Sequence, residues 1–500
     1  MESKYEYDVS LIIPTYAVTK KTLNGELAIK FGFESIERQQ VEGFKFEVVF
    51  VDDNSPDSTS KITQEWAQKS GIPFQQIVRT ESSGSPSQPR NEGIKTARGK
   101  YIAFMDNDDQ LGDRGSLFKL FKKIEEWDSD VIIGQPMKKG KGSLARSPFI
   151  HGDFKRVDFY KFNPMANIAV WSRLYRHSFL KEIEATFPTK HGGVQEDFYF
   201  NAQVFSQTDK ISLLADQVYY WWVDTDEGHL SSEWTASKFK EINSQNAKAL
   251  LLMLSSDKPF RYQHAAAFLE RIMNSGQFKE NYRNIKAQDR ETMLIKSKNH
   301  HTYRKILKKH FDELVEFIPQ EKYYQVKSII ESDDIHQVVK DFRAINTYFS
   351  PEKYVLTKKF FPTIFEKIKY EGAMFDFGFN KIIRQNIIFN FEKGMYVSNQ
   401  NLTGKDNVLL VITREKDLLR ILPMNEIVEL PEMLLLEERT YDFFIGFKIS
   451  HDEIVAEMAY SSFAHLSKTL TYKDGINLNF YKNWKGGISY NVTKRPDNVN

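Results

Sequence analysis

The first 235 residues alternate short apolar runs with amphipathic segments. VSLIIPTY and FEVVFVDDNS predict strands, because each is a short apolar, β-branched block that ends in proline or polar residues. TLNGELAIKFGFESIERQ and SKITQEWAQKSG predict helices, and Gly71 is placed to end the second as a C-cap. A further helix and turn lead into a third strand, KYIAFMDNDD. This alternation is typical of an α/β fold with a parallel sheet.

The pattern changes twice beyond residue 235. From about 236 to 350 it is helical and rich in Lys and Glu, as in FDELVEFIPQEKYYQVKSIIES. From about 351 it consists of short β-branched and aromatic runs, such as QNIIFNFEKGMYV and YDFFIGFKI, which predict an antiparallel, sandwich-like β domain. We therefore expect three parts: an α/β domain over 1–235, a helical linker region over 236–350 and a β-rich domain over 351–500.

The composition excludes several classes of protein. A hydrophobic content of 41% supports real cores, and a net charge of +2 gives no overall field for nucleic acid. The chain has no cysteine, which excludes disulfides and thiolate metal sites and fits a reducing compartment. Neither a signal-peptide core nor an apolar run of membrane-spanning length is present. These features predict a soluble, cytoplasmic protein.

Acidic residues follow two of the predicted strands. The second strand ends in Asp52 and Asp53, and the third ends in DNDD, with Asp106 and Asp108 spaced D-x-D. Each ending alone is compatible with an ordinary turn. Because ligands bind beyond the carboxyl ends of parallel strands, their coincidence instead favours a common site. Such carboxylates suit Mg²⁺ or Mn²⁺, which complete their coordination with water and substrate phosphates.

A loop rich in small residues precedes the helix before the third strand. RTESSGSPSQPRNEGIKTARG is expected to place Arg90 and Asn91 just before that helix. A helix N-terminus and a guanidinium both favour anions. We expect these two side chains to lie near a phosphate or a base.

Four motifs together resemble those of the family 2 glycosyltransferases. They are VSLIIPTY, EVVFVDDNSPDST, PRNEGIKTARGKYIAFMDNDD and QEDFYFN, and the likeness covers roughly residues 8–235. Enzymes of that family have a GT-A fold, which is Rossmann-like, and transfer sugars from nucleotide diphosphates. The resemblance thus implies an inverting hexosyltransferase that depends on a UDP-sugar.

The resemblance also implies roles for residues that would bind the donor. Pro14 and Tyr16 would line the nucleotide pocket, and Asp53 would accept a hydrogen bond from uracil N3–H. Arg90 would sit against the nucleotide, and Asn91, next to it in the sequence, is a further candidate to contact the donor.

The acidic motifs receive roles in the same way. Asp106 would lie near the ribose and Asp108 would bind the metal. An inverting transfer needs a base that takes the proton of the acceptor hydroxyl. In the QED motif that base would be Asp197, with Glu196 contacting sugar or acceptor. The alternative for the pair is a helix N-cap.

A histidine in a polar loop is a further candidate ligand. His229 follows a glycine in DTDEGHLSS, and an imidazole can complete the shell of Mn²⁺. A structural role is the alternative. Similar enzymes carry a basic residue shortly before this histidine, whereas the segment here is acidic. Ser231 and Ser232 would be weaker donors to the leaving diphosphate.

Within the family, the chain is most similar to the cytoplasmic teichoic-acid enzymes that add N-acetylglucosamine to poly(ribitol phosphate). SSGSPSQPRN, SRLYRHSFL and EGHLSS carry this likeness. It implies UDP-GlcNAc as the favoured donor, a homo-oligomer, and a C-terminal region for oligomerisation or polymer binding. Capsule and exopolysaccharide transferases share the same N-terminal domain and are the alternative.

Two basic segments bear on the acceptor, residues 137–146 and 296–310. A polyanionic glycopolymer would be held by such residues, an anionic membrane surface at the inner face would also attract them, and a solvated face is the third interpretation. Two other functional classes remain: a phosphatase with a strand-end D-x-D, and a non-catalytic carbohydrate-binding protein. The phosphatase pattern places its aspartate after the first strand, and here DNDD comes third.

Overall fold

The computed structural model describes most of the chain up to Tyr348 and a series of strands beyond it. The described residues are 5–140, 144, 147–149, 152–159, 162–166, 168–189, 195–227, 235–283, 289–318, 320–348, 353–357, 386–390, 396–398, 407–413, 419–423, 427–429, 439–450, 453–458, 460–461, 467–471, 476–483 and 488–494. The chain divides into two compact units, residues 1–336 and 337–500, and each is described by itself.

The first unit contains the predicted alternation of strands and helices. Its strands are β1 (Tyr7–Thr15), β2 (Thr22–Leu23), β3 (Glu26–Leu27), β4 (Phe46–Asp52), β5 (Phe74–Val78), β6 (Gly99–Phe104), β7 (Gln110–Leu111), β8 (Val131–Gly134), β9 (Pro136–Lys139), β10 (Arg173–Arg176), β11 (Ile211–Leu214) and β12 (Tyr220–Val223). Helices up to residue 205 are α1 (Ala28–Glu37), α2 (Thr59–Ser70), α3 (Ser87–Thr96), α4 (Ser116–Glu126), α5 (His177–Glu182) and α6 (Glu196–Phe205).

A seven-stranded sheet forms the centre of this unit. Its order is β11-β8-β10-β6-β1-β4-β5, and only β10 runs antiparallel to its neighbours. Ile12 of β1 lies beside Val49 of β4 on one side and Phe104 of β6 on the other. All seven residues of β4 are buried, as expected of a parallel strand covered on both faces. The predicted α/β, Rossmann-like fold is therefore confirmed.

Close packing fixes the helix that precedes β6. Gly93 of α3 faces Ile12, and a Cβ at Gly93 would lie 2.4 Å from the Ile12 Cγ2 atom. Only glycine allows this approach of helix to strand. The helix α3 begins at Ser87, so Arg90 and Asn91 lie within it and not before it as predicted, and the close approach at Gly93 sets the distance of their backbone from the sheet.

A second, three-stranded sheet lies next to the acid-rich turn. Its order is β7-β12-β9, with β12 antiparallel to β7 and parallel to β9. The strand β7 follows the DNDD sequence directly, so this small sheet holds the far end of the acidic turn.

The region after residue 235 is helical, as predicted. Its helices are α7 (Ala236–Leu254), α8 (Arg261–Asn274), α9 (Gly276–Glu280), α10 (Arg290–Leu314), α11 (Gln320–Glu331) and α12 (Ile335–Tyr348). Thr235 begins α7 with a side-chain cap on the Lys238 amide, and Asp289 caps α10 through the Thr292 amide. No helix in the described part of the chain is long and apolar enough to cross a membrane.

The second unit is built from strands. They are β13 (Lys353–Thr357), β14 (Asn386–Asn390), β15 (Tyr396–Ser398), β16 (Asn407–Thr413), β17 (Leu419–Pro423), β18 (Ile427–Glu429), β19 (Thr440–Ser450), β20 (Glu453–Met458), β21 (Tyr460–Ser461), β22 (Ser467–Thr471), β23 (Ile476–Lys482) and β24 (Ile488–Lys494). The larger sheet is antiparallel and has the order β13-β20-β19-β24-β23-β22, with β16 and β17 joined to it through β19.

Aromatic side chains form the core of the larger C-terminal sheet. Tyr441 stacks on Tyr490 with ring centroids 4.8 Å apart, and Phe480 lies 5.3 Å from the same Tyr490 ring. All three side chains are buried. The β character predicted for this region from its aromatic and β-branched runs is confirmed.

Candidate functional site

The carboxyl ends of β1, β4 and β6 meet at one edge of the central sheet. The Asp53 amide after β4 donates to the Thr15 carbonyl at the end of β1, at 2.9 Å. On the other side, the Asn107 side chain after β6 donates to the Pro14 carbonyl at 3.2 Å. The polar residues that follow the three strands are thus held in one place, where open parallel sheets bind ligands.

Arg90 is the centre of the acidic cluster at this edge. Its Nη2 donates to Asp106 Oδ1 at 2.8 Å, while Nη1 donates to Glu196 Oε1 at 3.1 Å and Asp197 Oδ1 at 3.0 Å. The guanidinium is buried and packs over the Phe187 ring. One arginine therefore joins the acid after β6 to the two acids that begin α6, and it leaves the group of four with a formal charge of −2.

Glu196 and Asp197 occupy the first turn of α6 and do not cap it. The N-cap residue is Gln195, whose side chain makes no capping hydrogen bond. Asp197 instead accepts from the Val170 amide at 3.3 Å as well as from Arg90. Both carboxylates therefore point toward the sheet edge, where the positive end of the helix dipole favours negative charge.

Burial and like charges shift the protonation of this cluster. Burial and the neighbouring Asp197 raise the pKa of Glu196 to about 7, although Arg90 opposes the shift. Burial also raises the pKa of Asp197, against the effect of Arg90. Burial lowers the pKa of Arg90, but Asp197, Asp106 and Glu196 together raise it by more, so the guanidinium stays charged. Carboxyls with raised pKa are suited to accept a proton near neutral pH.

The three aspartates after β6 have different surroundings. Asp109 is buried, accepts from the Tyr220 hydroxyl at 2.7 Å and from the Val223 amide at 2.8 Å, and so ties the turn to β12. Burial and the charges of Asp108 and Asp106 raise its pKa. Asp106 and Asp108 remain as the pair with access to a ligand. The Tyr220 hydroxyl also accepts a hydrogen bond from the Asp106 amide at 3.1 Å. The sequence analysis did not identify Tyr220 as part of the site.

Asp108 has a basic partner that the sequence did not indicate. The Lys21 ammonium lies 2.5 Å from Asp108 Oδ2. Lys21 lies between the 3-10 helix Val18–Lys20 and β2, and its carbonyl accepts from the Ala28 amide at 3.0 Å. A positive charge is thus already placed on the carboxylate that was expected to bind a metal.

Asp53 is buried among hydrogen-bond donors of its own chain. It pairs with the Arg79 guanidinium and accepts from the Ser83 amide at 2.8 Å, the Ser82 hydroxyl at 3.0 Å and the Gly84 amide at 3.2 Å. A base that donates to Asp53 must replace or share one of these donors.

Asn91 and Tyr16 occupy different positions at the site. The Asn91 side chain accepts from the Phe187 amide at 2.8 Å and donates to the Phe187 carbonyl at 2.9 Å. It therefore positions the ring that covers Arg90. Tyr16 is 47% exposed beside Ala17, which has left-handed backbone geometry, so its ring is free to face a ligand.

His229 lies outside the described residues, within the segment 228–234. The acidic residues just before it bind the β2–β3 hairpin: the Thr22 amide donates to Glu227 at 2.8 Å, and the Gly25 amide donates to Asp226 at 3.1 Å. Their charges are thus directed at the hairpin.

The donor set fits a hard cation that is only partly coordinated by protein. Asp106 and Asp108 supply carboxylate oxygens, and the ammonium on Asp108 shows that this position accommodates a positive charge. Among the described residues no three His, Cys, Asp or Glu side chains converge as a metal site. A cation bound here by one or two carboxylates would take its remaining ligands from water and substrate phosphates.

Known proteins resemble the N-terminal part of the chain. Residues 10–184 match the family described as glycosyl transferase family 2. The chain is 32% identical over 231 residues to the poly(ribitol-phosphate) beta-glucosyltransferase of Bacillus spizizenii, covering 45% of this chain and 33% of that protein. It is 28% identical over 243 residues to the poly(ribitol-phosphate) beta-N-acetylglucosaminyltransferase TarS of Staphylococcus aureus, covering 47% and 39%. The chain thus spans less than half the length of these two relatives.

A solved structure agrees with the fold. The crystal structure of S. aureus TarS 1–349 in complex with UDP-GlcNAc superposes with a TM-score of 0.57 at 20% identity, covering 69% of this chain and 92% of that one. The likeness to family 2 glycosyltransferases thus covers residues 10–184 of this chain, and the solved structure shows the same fold. The chain's relatives include poly(ribitol-phosphate) glycosyltransferases, so both levels of the predicted resemblance are confirmed.

Proposed function

We propose that this chain is an inverting glycosyltransferase that moves a sugar from a UDP-sugar to a hydroxyl of a poly(ribitol phosphate) type of cell-surface polymer. The observation that carries the proposal is the Arg90 cluster, which brings Asp106, Glu196 and Asp197 together beside Asp108 at the sheet edge. The activities of the relatives support the polymer, and the complex of TarS with UDP-GlcNAc supports the class of donor. UDP-GlcNAc and UDP-glucose are the donors to test first.

The donor half of the site has these proposed roles. Asp108, with His229, would hold Mn²⁺ or Mg²⁺, and Asp106 would lie toward the ribose. The cation would neutralise charge on the leaving diphosphate. Asp53 would recognise uracil, and the exposed Tyr16 would cover the base. The pocket would also be lined by Pro14, Arg90 and Asn91. Each of these residues is held in place by its own hydrogen bond.

The chemical step is assigned to Asp197. The acceptor oxygen attacks the anomeric carbon, its proton passes to the Asp197 carboxylate, and the bond from that carbon to the diphosphate oxygen breaks with its electrons going to UDP. The raised pKa of Asp197 supports this role, because a stronger base takes the proton more readily. Arg90 orients the carboxylate, and Glu196, on the same nitrogen of Arg90, would contact sugar or acceptor.

A basic groove on α10 is the proposed contact for the polyanionic acceptor. The groove has a volume of about 500 Å³ and is lined by His301, Arg304, Lys305, Lys308, Lys309 and Asp333. Within the described part of the chain, Arg304 pairs with Asp333 at 2.7 Å. Each phosphate bound would release counterions and make binding sensitive to salt. An anionic membrane surface would give the same salt dependence, so vesicles serve as the competing ligand in a test.

In the other basic segment, the two described lysines have partners within the fold. Lys138 pairs with Asp224 at 2.9 Å, and Lys139 donates to Gln110 at 2.6 Å. Both ammonium groups also lie over tryptophan rings of β12. This supports assigning acceptor binding to α10 rather than to residues 137–140.

We also propose a role for each of the three regions of the chain and a cellular location for the enzyme. We assign 1–235 to sugar transfer, 236–350 to a helical linker with the acceptor groove, and 351–500 to oligomerisation or polymer binding. The enzyme would work in the cytoplasm, at the inner face of the membrane.

The test is a transfer assay with purified protein. UDP-GlcNAc and UDP-glucose are each supplied with Mn²⁺ and either poly(ribitol phosphate) or poly(glycerol phosphate), with Asp197→Asn as the control of strongly reduced activity. Sugar incorporation into poly(ribitol phosphate) from one donor is expected. Activity confined to poly(glycerol phosphate) would contradict the acceptor, and absence of UDP binding by calorimetry would contradict the donor.

A further inference from the structure

Lys21 differs from the other cations at the sheet edge in having one acidic partner. Arg90 is bound to three carboxylates, and Arg79 is bound to Asp53 and Glu92. In the part of the chain that the structure describes, Lys21 pairs with Asp108 alone. The Lys21 side chain is 29% exposed and that of Asp108 is 11% exposed. The ammonium is therefore close to solvent, whereas the carboxylate depends on it for neutralisation.

A built hairpin fixes where Lys21 emerges. Strands β2 and β3 are joined by Asn24 and Gly25, both with positive φ, as in the tight turns that suit two-residue hairpins. The Thr22 amide and hydroxyl both donate to Glu227, at 2.8 and 2.6 Å, and the Gly25 amide donates to Asp226 at 3.1 Å. The backbone next to Lys21 is thereby anchored, while the ammonium is carried on a flexible four-carbon stem.

The position of the ammonium has a consequence for ligand binding. A divalent cation on Asp108 and the Lys21 ammonium would need the same carboxylate oxygens, and two positive charges so close repel each other. A cation held by few carboxylates draws substrate phosphates to itself. The diphosphate would therefore arrive within reach of a lysine that the cation has just displaced.

We propose that Lys21 is an internal cation of the donor site, which neutralises Asp108 until a divalent cation displaces it and then binds the donor's diphosphate. The inference rests on the proposed function. It adds Lys21 to the donor site, where its ammonium would weaken binding of the bare cation and strengthen binding of the nucleoside diphosphate. Removing the ammonium favours the bare cation, because its competitor is gone. The same change disfavours the nucleoside diphosphate, because a phosphate contact is lost.

The test is calorimetry on the full chain with two ligands. Mn²⁺ is titrated first without nucleotide, and UDP is then titrated at saturating Mn²⁺. Lys21→Met and Lys21→Gln are each expected to bind Mn²⁺ about tenfold more tightly and UDP about tenfold more weakly than the natural chain. The exposed neighbour Lys20→Met is the matched control and should leave both affinities unchanged.

Thermal unfolding of Lys21→Met and ligand binding by the natural chain distinguish failure of the Lys21 inference from failure of the proposed donor site. In EDTA, Lys21→Met should melt at a lower temperature than the natural chain, and added Mn²⁺ should reduce the difference, because Asp108 regains a positive partner. If both Lys21 variants bind Mn²⁺ no more tightly than the natural chain, the inference is overturned. If the natural chain itself binds neither UDP nor Mn²⁺ in the presence of UDP, the proposed donor site fails together with it.

Discussion

Replacing Glu196 by glutamine tests the electrostatics of the Arg90 cluster. Glu196 is 15% exposed in its side chain and shares the Arg90 Nη1 atom with Asp197. Burial and Asp197 raise its pKa to about 7, so at neutral pH the folded chain carries this charge at a cost. Glutamine has nearly the same shape, can still accept from Arg90, and carries no charge. Glu196→Gln should therefore stabilise the protein where the natural carboxylate is ionised.

The size and sign of the effect of Glu196→Gln on stability follow from the raised pKa of Glu196. A pKa that folding raises from 4.5 to about 7 contributes stability at low pH, and the contribution is lost as pH rises through that interval. The loss at pH 8 corresponds to about 3 kcal/mol, and at pH 5 to less than about 1 kcal/mol. We expect Glu196→Gln to recover most of this loss at pH 8 and little of it at pH 5.

Urea unfolding at pH 5 and pH 8 measures the prediction. The free energy of unfolding of Glu196→Gln is compared with that of the natural chain at each pH. Glu65→Gln, whose side chain is 65% exposed on α2, is the control and should shift neither value by more than about 0.5 kcal/mol. A variant that gains the same stability at both pH values, or loses stability at pH 8, would refute the argument that Glu196 is ionised at a cost.

Three further variants test other parts of the account. Asp197→Asn should lower kcat about 100- to 10,000-fold with little change in the Kd of UDP, and normal turnover would move the base to another group. Asp108→Ala should weaken UDP binding in Mn²⁺ but not in EDTA, measured by calorimetry; equal weakening in both would exclude a role for a cation. Gly93→Ala should destabilise the chain by about 1–3 kcal/mol in urea unfolding, because its Cβ would meet Ile12 Cγ2 at 2.4 Å; an unchanged midpoint would show that α3 can shift freely.

Local pattern was enough to predict the strands that build the site. The apolar runs before Asp53 and Asp106 identified β4 and β6, because a buried parallel strand must be apolar on both faces. Parallel topology then placed the two strand ends together without further information. Arg90 and Asp197 were found through the motifs, and the structure brings them within 3.0 Å of each other.

The partners of these residues could not be predicted, since they come from distant parts of the sequence. Lys21 is 87 residues from Asp108, and Tyr220 is 111 residues from Asp109. A single lysine in TKKTLNG has no local signal that separates it from a solvated one. The sequence alone could not distinguish Asp109 from the other aspartates after β6. In the structure Asp109 is buried and accepts a hydrogen bond from β12, which makes it a structural anchor. His229 lies outside the described residues and its role stays a prediction.

The anomeric configuration of the product tests the central claim most directly. Purified protein is incubated with an α-linked UDP-sugar, Mn²⁺ and a short poly(ribitol phosphate), and the product is examined by proton NMR through the coupling constant of its anomeric proton. A single displacement assisted by Asp197 predicts a β-linked sugar on the ribitol. An α-linked product would contradict the direct displacement, and the absence of any sugar on the polymer, with UDP-sugar bound, would contradict the proposed acceptor.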